Sequence, residues 1–200
     1  MSGLFERNPP GVSEKLSRAC VGVAGCGGLG SNAAITLARA GVGTLLLADF
    51  DKVELSNLNR QQFTQADVGT VKVEALSRHL RAINPALKVE EHACRVTAEN
   101  AAALFGKADL LIEAFDRIES KQELIAAWSR LFPDKPLVCG NGVSGFGDTA
   151  SLKIERAGRS LWFCGDGETE NALGLCSARV AIVANMQANL AIELLVKGGA

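Results

Sequence analysis

Short apolar runs alternate with helical patterns almost from one end of the chain to the other. Residues 19–24, A-C-V-G-V-A, are an apolar run ending at Gly25, and residues 44–48, T-L-L-L-A, are a second that stops at Asp49. Between them, residues 31–40 are small and apolar nearly all round and close on Gly41, the pattern of a buried helix with a glycine at its C-terminal end. Val73, Leu76, Leu80 and Ile83 recur at helical spacing, which predicts an amphipathic helix over 71–83, ahead of Asn84-Pro85. Residues 88–94 are a candidate third strand, 109–115 a fourth that runs out at Asp116, and 137–139 a short fifth. Leu124, Ile125, Trp128, Leu131 and Phe132 mark one face of a helix stopped by Pro133. Strands alternating with helices in this way imply right-handed crossovers and a parallel sheet.

The last third changes character. Residues 140–147, G-N-G-V-S-G-F-G, form a glycine-rich loop, and residues 148–154 alternate polar and apolar, with Ala150, Leu152 and Ile154 on one side, as a half-buried strand does. Residues 165–175 are polar and glycine-rich and are expected to be mobile. Residues 178–196 form a long apolar helix, interrupted by Asn185, Gln187, Asn189 and Glu193, which favours a buried or subunit-interface helix over a membrane span. The expected fold is α/β: a Rossmann-like, mainly parallel sheet with flanking helices, and antiparallel strands in the C-terminal third.

Composition narrows the classes. Two hundred residues are expected to make one domain, with an arm and helix over 1–18, a nucleotide-binding half over 19–140 and a second half over 141–200. Hydrophobic residues at 48% and charged residues at 22% exclude intrinsic disorder. A formal net charge of −1 supplies no field for nucleic acid or an anionic membrane, and neither is expected as a partner. With 5% aromatics and no tyrosine there is no stacking platform for single strands. The 6 cysteines include no C-x-x-C pair, and the start M-S-G-L-F-E-R-N-P-P has no apolar signal region. The reading is therefore a reducing cytoplasm, free thiols and no zinc.

Gly25-Cys26-Gly27-Gly28-Leu29-Gly30 follows the first strand and opens a helix, the context in which G-x-G-x-x-G binds phosphate. Backbone must approach the phosphate closely, and the helix start offers N–H groups and a positive dipole end. Asp49, at the end of the second strand, is placed to accept hydrogen bonds from ribose hydroxyls. So far a nicotinamide or flavin dinucleotide would fit. The segment D-F-D-K-V-E-L-S-N-L-N-R-Q-Q then adds Asp51, Asn57, Asn59, Arg60 and Gln61 in one polar loop. Lys72 opens the next helix off its apolar face, and Asp116 ends the fourth strand at the same sheet edge. Two cations and a carboxylate around a glycine loop suit ATP with Mg²⁺ better than a pyrophosphate diester, because the cations neutralise phosphate oxygens and the carboxylate holds the metal.

Taken together, G-C-G-G-L-G-S, A-D-F-D-K-V-E-L-S-N-L-N-R-Q-Q-F, V-K-V-E-A-L and E-A-F-D resemble the ThiF/MoeB/HesA superfamily, adenylating enzymes related to ubiquitin-activating enzymes. The resemblance runs from about Glu14 to about Leu195, and the short R-N-P-P-G start is similar to the ThiF-type branch of thiamine biosynthesis. It implies an adenylyltransferase that activates the C-terminal glycine of a ThiS-like ubiquitin-fold sulfur carrier with Mg-ATP and releases pyrophosphate. Gly25, Gly27, Gly28, Leu29 and Gly30 would line the nucleotide. Asp49 would hold the ribose, with Asp51 beside it; Asn57, Arg60, Gln61 and Lys72 would meet the triphosphate; Asp116 would bind Mg²⁺. The family implies a homodimer in which an N-terminal arginine, here Arg7, reaches the partner's site, so that 141–200 becomes the carrier-binding and dimer half. The same superfamily holds activating enzymes for the molybdopterin carrier and for tRNA. Cys164 and Cys176 are the thiols in the late region where some relatives carry a covalent carrier, and both are read as structural. His79 and His92 lie in no motif. A nicotinamide-dependent oxidoreductase remains the reading from another class.

Overall fold

The computed structural model describes residues 3–169 and 173–198. Seven strands form one sheet: β1 (Cys20–Ala24), β2 (Thr44–Ala48), β3 (Lys88–His92), β4 (Leu110–Glu113), β5 (Leu137–Gly140), β6 (Lys153–Arg156) and β7 (Leu161–Gly165). Their order is β3-β2-β1-β4-β5-β7-β6. Every pairing from β3 to β7 is parallel and only β6 runs antiparallel, against β7. The chain therefore starts at the middle of the sheet, builds outward through β2 and β3, and returns across β1 to continue from β4. Such a reversal opens a crevice at the C-terminal ends of the central strands.

Among the described residues, six α-helices flank the sheet: α1 (Val12–Leu16), α2 (Gly28–Ala40), α3 (Lys72–Ile83), α4 (Ala101–Phe105), α5 (Ile118–Leu131) and α6 (Ser177–Lys197). Strands β1, β2, β4 and β5 are buried on both faces, and the core divides accordingly. One cluster joins Val21, Val23, Leu45, Leu47 and Ile112 to α2, α3 and α6, and the other joins Leu46, Leu111, Leu137 and Cys139 to α4 and α5. Gly22 faces the second cluster because a Cβ there would lie 2.7 Å from Leu111 and 2.8 Å from the Phe105 ring. Helix α2 ends at Gly41, which takes φ 100° and donates to Leu37 and Ala38, closing the helix as its sequence predicted. Helix α6 is long and apolar enough to cross a membrane by composition, and its buried face, including Val183, Ala184, Gln187 and Ala188, packs along α2 and over β5.

Three expectations change. The strand at 148–154 is a 3-10 turn at Thr149–Ser151 followed by β6, whose four residues are all exposed. Among the described residues no helix covers this edge strand, and Ile154 stays 44% exposed. Strand β7, next to the edge strand, and the short helix α4 have no counterpart in the sequence pattern. The segment 165–175 is tied down where it begins: Asp166 accepts the Glu168 and Thr169 N–H groups and forms a buried ion pair with Arg179 of α6. Residues 170–172 of that segment lie outside the described residues.

Candidate functional site

A cleft of about 1000 Å³ lies at the C-terminal ends of the strands, on both sides of the reversal between β1 and β4. The three glycines of the phosphate-loop pattern do different things. Gly25 leaves β1 with φ +93°, and a Cβ there would sit 2.9 Å from the Ala114 carbonyl oxygen. Gly30 packs the start of α2 so closely that its Cβ would fall 1.8 Å from the Gly25 carbonyl oxygen. Gly27 faces the cleft, and its Cβ would meet nothing nearer than Gln61 Nε2 at 3.7 Å. The fold thus requires glycine at 25 and 30. At 27 the protein itself leaves room.

Asp49 braces this turn. Its Oδ2 accepts the Cys26 N–H at 2.7 Å and its Oδ1 the Asp51 N–H at 2.8 Å, joining the ends of β1 and β2. Burial pushes its carboxyl above the usual carboxylate range, against the pull of Lys72 and the two amide donors. Burial likewise raises the Cys26 thiol, which keeps it an inert apolar group.

The polar loop after β2 is a 3-10 turn, Leu55–Asn59, held by a reciprocal cap in which Glu54 and Asn57 bond each other's backbone. Asn57 is thereby buried in the cleft wall. Arg60 follows, with its side chain against Gly28 and its guanidinium bonded to Ser56 O at 3.3 Å and Asn59 Oδ1 at 2.8 Å. Gln61 is buried and its Oε1 has no partner among the described residues. A buried polar atom left open in a cleft wall is a place for a ligand's donor.

Lys72 differs from expectation. It was read as lying free of the core, but its side chain is only 8% exposed and its ammonium is paired with Asp51 at 2.9 Å. The Lys72 N–H also donates to Asp51 O at 2.9 Å, so the first turn of α3 is stitched to the loop after β2. The structure gathers Gly25, Gly27, Gly28, Leu29, Asp49, Asp51, Asn57, Arg60, Gln61, Lys72 and Asp116 around one cleft. Gly30 stands behind it as a packing residue. Arg7 is exposed and lies outside the cleft. His79 pairs with the buried Asp67 at 2.8 Å, away from the cleft. Burial carries the Cys164 thiol up to about 12, and Cys176 is exposed at the N-cap of α6.

Several cleft residues were not singled out from the sequence. Phe50 and Arg95 line the outer end, with the Arg95 guanidinium 4.9 Å from the centre of the Phe50 ring. At the other end, Lys121 of α5 bonds Glu113 and the Gly140 carbonyl oxygen, the latter at 2.8 Å. Glu113 is fully buried, and its carboxyl is raised by burial against the pull of Lys121. Asn141 and Gly142 complete that wall. Lys121 sits in the charged run D-R-I-E-S-K-Q-E, which reads as a solvated helix face, so its inward direction had no signal in the pattern.

The model of the ThiF family matches residues 4–199. The chain belongs to the ThiF family. It is 34% identical over 189 residues to the sulfur carrier protein ThiS adenylyltransferase of Escherichia coli (strain K12), covering 91% of this chain and 74% of that one. It is 41% identical over 130 residues to the adenylyltransferase and sulfurtransferase MOCS3 of Anopheles gambiae, across 64% of this chain. The chain spans only 29% of the length of that relative. Among solved structures, the ATP complex of the Escherichia coli tRNA N6-threonylcarbamoyladenosine dehydratase TcdA superposes with a TM-score of 0.86, 24% identity, and coverage of 98% of this chain and 93% of that one. This likeness is one of fold.

Proposed function

We propose that the chain is an ATP-dependent adenylyltransferase that activates the C-terminal glycine carboxylate of a small ubiquitin-like sulfur carrier of the ThiS type, releasing pyrophosphate, in the formation of the thiamine thiazole. The observation that carries this reading is the convergence of Arg60, Lys72 and Asp116, from three separate stretches of chain, on the cleft in which Gly27 leaves room for a phosphate. The ThiS adenylyltransferase among its relatives supports the choice of carrier.

The chemistry needs little from the protein beyond position and charge. The carrier's carboxylate is already ionised, so its attack on the α-phosphorus requires no base. One carboxylate oxygen bonds to phosphorus while the bond to the bridging oxygen breaks, its electron pair leaving on pyrophosphate. Both reactants are anions, and positive groups that meet the phosphates lower the repulsion and stabilise the spread of charge in the transition state. Arg60 and Lys72 take that role, Gln61 Oε1 and Asn57 orient the nucleotide, and Asp49 holds both the ribose and the loop. Mg²⁺ is typically held by one or two carboxylates together with substrate phosphates, and Asp116, exposed in the cleft lining, would supply such a carboxylate. When bound, it would add charge neutralisation at the phosphates.

Arg7, exposed and away from its own cleft, serves the cleft of a second copy in a homodimer. The setting is cytoplasmic. A nicotinamide-dependent oxidoreductase would leave Arg60, Lys72 and Asp116 without work.

The test is ATP–pyrophosphate exchange with Mg²⁺ and several purified carriers ending in Gly-Gly, ThiS among them. Exchange should depend on the carrier and fall by at least about a hundredfold, ~2.7 kcal/mol, in Arg60→Ala, with the folded state intact. Absence of exchange with every carrier overturns the reading.

A further inference from the structure

We propose that Lys121 is a substrate-contacting residue for the acyl half of the reaction, donating to the carboxyl group of the carrier's terminal glycine as it meets the α-phosphate. The inference rests on the adenylation reading and extends it to the end of the cleft that the nucleotide does not fill.

The cleft has two halves. Over β1, β2 and β3 lie the glycine loop, Asp49 and the cations Arg60 and Lys72, which suffice for a nucleotide. Over β4, β5 and β7 the lining changes to Asp116, Lys121, Asn141, Gly142 and Gly167–Thr169. In sheets of this topology the crevice spans the reversal, so the second half is the seat of whatever reacts with the nucleotide. Here that reactant is an anion, and the cation at the floor of its seat is Lys121, whose side chain is 16% exposed. Arg117 is exposed at the rim.

The setting of Lys121 argues for more than a strut. Glu113, wholly buried, and the Gly140 carbonyl oxygen accept two of its three N–H donors and fix its direction. Gln187 of α6 bonds Glu113 O at 2.9 Å and Val138 O at 3.1 Å, so the ends of β4 and β5 are already joined without it. Buried ion pairs are weak stabilisers and can often be replaced by apolar residues without loss. An ammonium kept at this depth in the cleft lining, with only two of its three donors engaged by Glu113 and Gly140, has a use in binding. Lys121 exchanges no proton in the step: the bond forms to phosphorus, the electron pair leaves on pyrophosphate, and Lys121 supplies a hydrogen bond to the carboxyl oxygen that does not attack.

The probe is 5′-O-(N-glycylsulfamoyl)adenosine, which carries a glycyl group where the acyl half would lie, compared with AMP, both titrated calorimetrically into the full chain. Wild type should bind the glycyl sulfamate more tightly than AMP. Lys121→Met should hold AMP within about twofold of wild type but lose about tenfold or more on the glycyl sulfamate, the size expected for a hydrogen bond from a charged donor. Lys121→Arg should recover part of the loss. Because Lys121→Met strands Glu113, the paired variant Glu113→Gln/Lys121→Met serves as the folding control and should still lose the glycyl increment. Equal weakening of both ligands, recovery in the paired variant, or no change overturns the role of Lys121. A wild type that binds AMP but gains nothing from the glycyl group overturns it too, and leaves nucleotide binding standing. A wild type that binds neither ligand overturns the adenylation reading and this inference with it.

Discussion

Packing and phosphate access in the glycine turn can be separated by single methyl groups. At Gly30 an added Cβ would lie 1.8 Å from the Gly25 carbonyl oxygen and 2.9 Å from its carbon, both backbone atoms, so turn and helix must part by more than an ångström. That turn is held by the Gly25 N–H to Ala48 O at 2.9 Å and the Ser31 N–H to Gly27 O at 3.0 Å, bonds that such a displacement strains. Overpacking of this kind costs about 1–3 kcal/mol or more. For a chain of this size that lowers Tm by about 3–10 °C. At Gly27 the nearest atom is Gln61 Nε2 at 3.7 Å, ordinary contact, and the backbone, with φ −81° and ψ −143°, lies just outside the regions that side chains favour. Gly27→Ala should therefore cost about 1 kcal/mol of backbone strain, less than Gly30→Ala. Its methyl group fills the space a phosphate would enter, and affinity for a non-hydrolysable ATP analogue should fall by at least about tenfold, ~1.4 kcal/mol. Differential scanning calorimetry and titration calorimetry on both variants decide the matter. A Gly27→Ala protein that binds nucleotide as wild type does would show that phosphate does not rest on this turn, and one that melts as early as Gly30→Ala would show that the room at Gly27 is illusory.

Two further outcomes follow from buried charges. Arg179 is 4% and Asp166 7% exposed at the side chain, and Arg179 also donates to Gly147 O at 2.7 Å, so Arg179→Leu should destabilise by about 3 kcal/mol in urea, with Asp166→Asn/Arg179→Leu less affected; equal losses would remove the pair as the cause. Burial alone would raise the Asp67 carboxyl, but the Thr64 N–H and hydroxyl and His79 carry it below the ordinary range. The stability this supplies is present above the unfolded value of about 3.9 and is lost as pH falls through the lower folded value. Asp67→Asn should flatten the decline in Tm between about pH 5 and pH 2, and an unchanged slope would count against that account.

What was legible in the sequence was whatever local periodicity and glycine chemistry determine. The runs that became β1, β2, β4 and β5, the glycine close of α2 and the inward stripe of α3 all lie in segments whose pattern has one structural solution. The misses have a common cause. Helix α4 is one turn and a fraction, too short to show a period. Strand β7 is a five-residue run whose role depends on β5 and β6 pairing on either side of it. Strand β6 alternates as a half-buried strand should, yet whether its apolar side is covered depends on what packs against it, and among the described residues no helix does. In the site, residue types and order singled out Arg60, Lys72 and Asp116, which line one cleft, but not that Lys72 is sheathed and paired with Asp51, nor that Lys121 lines the same cleft, because a charge on a helix has no direction until the helix is packed.

The wall over β5 and β7 is built from backbone more than from side chains. Gly142, Gly145, Gly165 and Gly167 all take positive φ, and a Cβ at Gly165 or Gly142 would collide at 1.8 Å and 1.9 Å with Asn141 and Asp166. Mutation has few places here at which to explore new shapes. If this wall receives the carrier, as the proposed function has it, a shift from one carrier to another would run through the handful of side chains that interrupt the glycines, among them Phe146, 84% exposed.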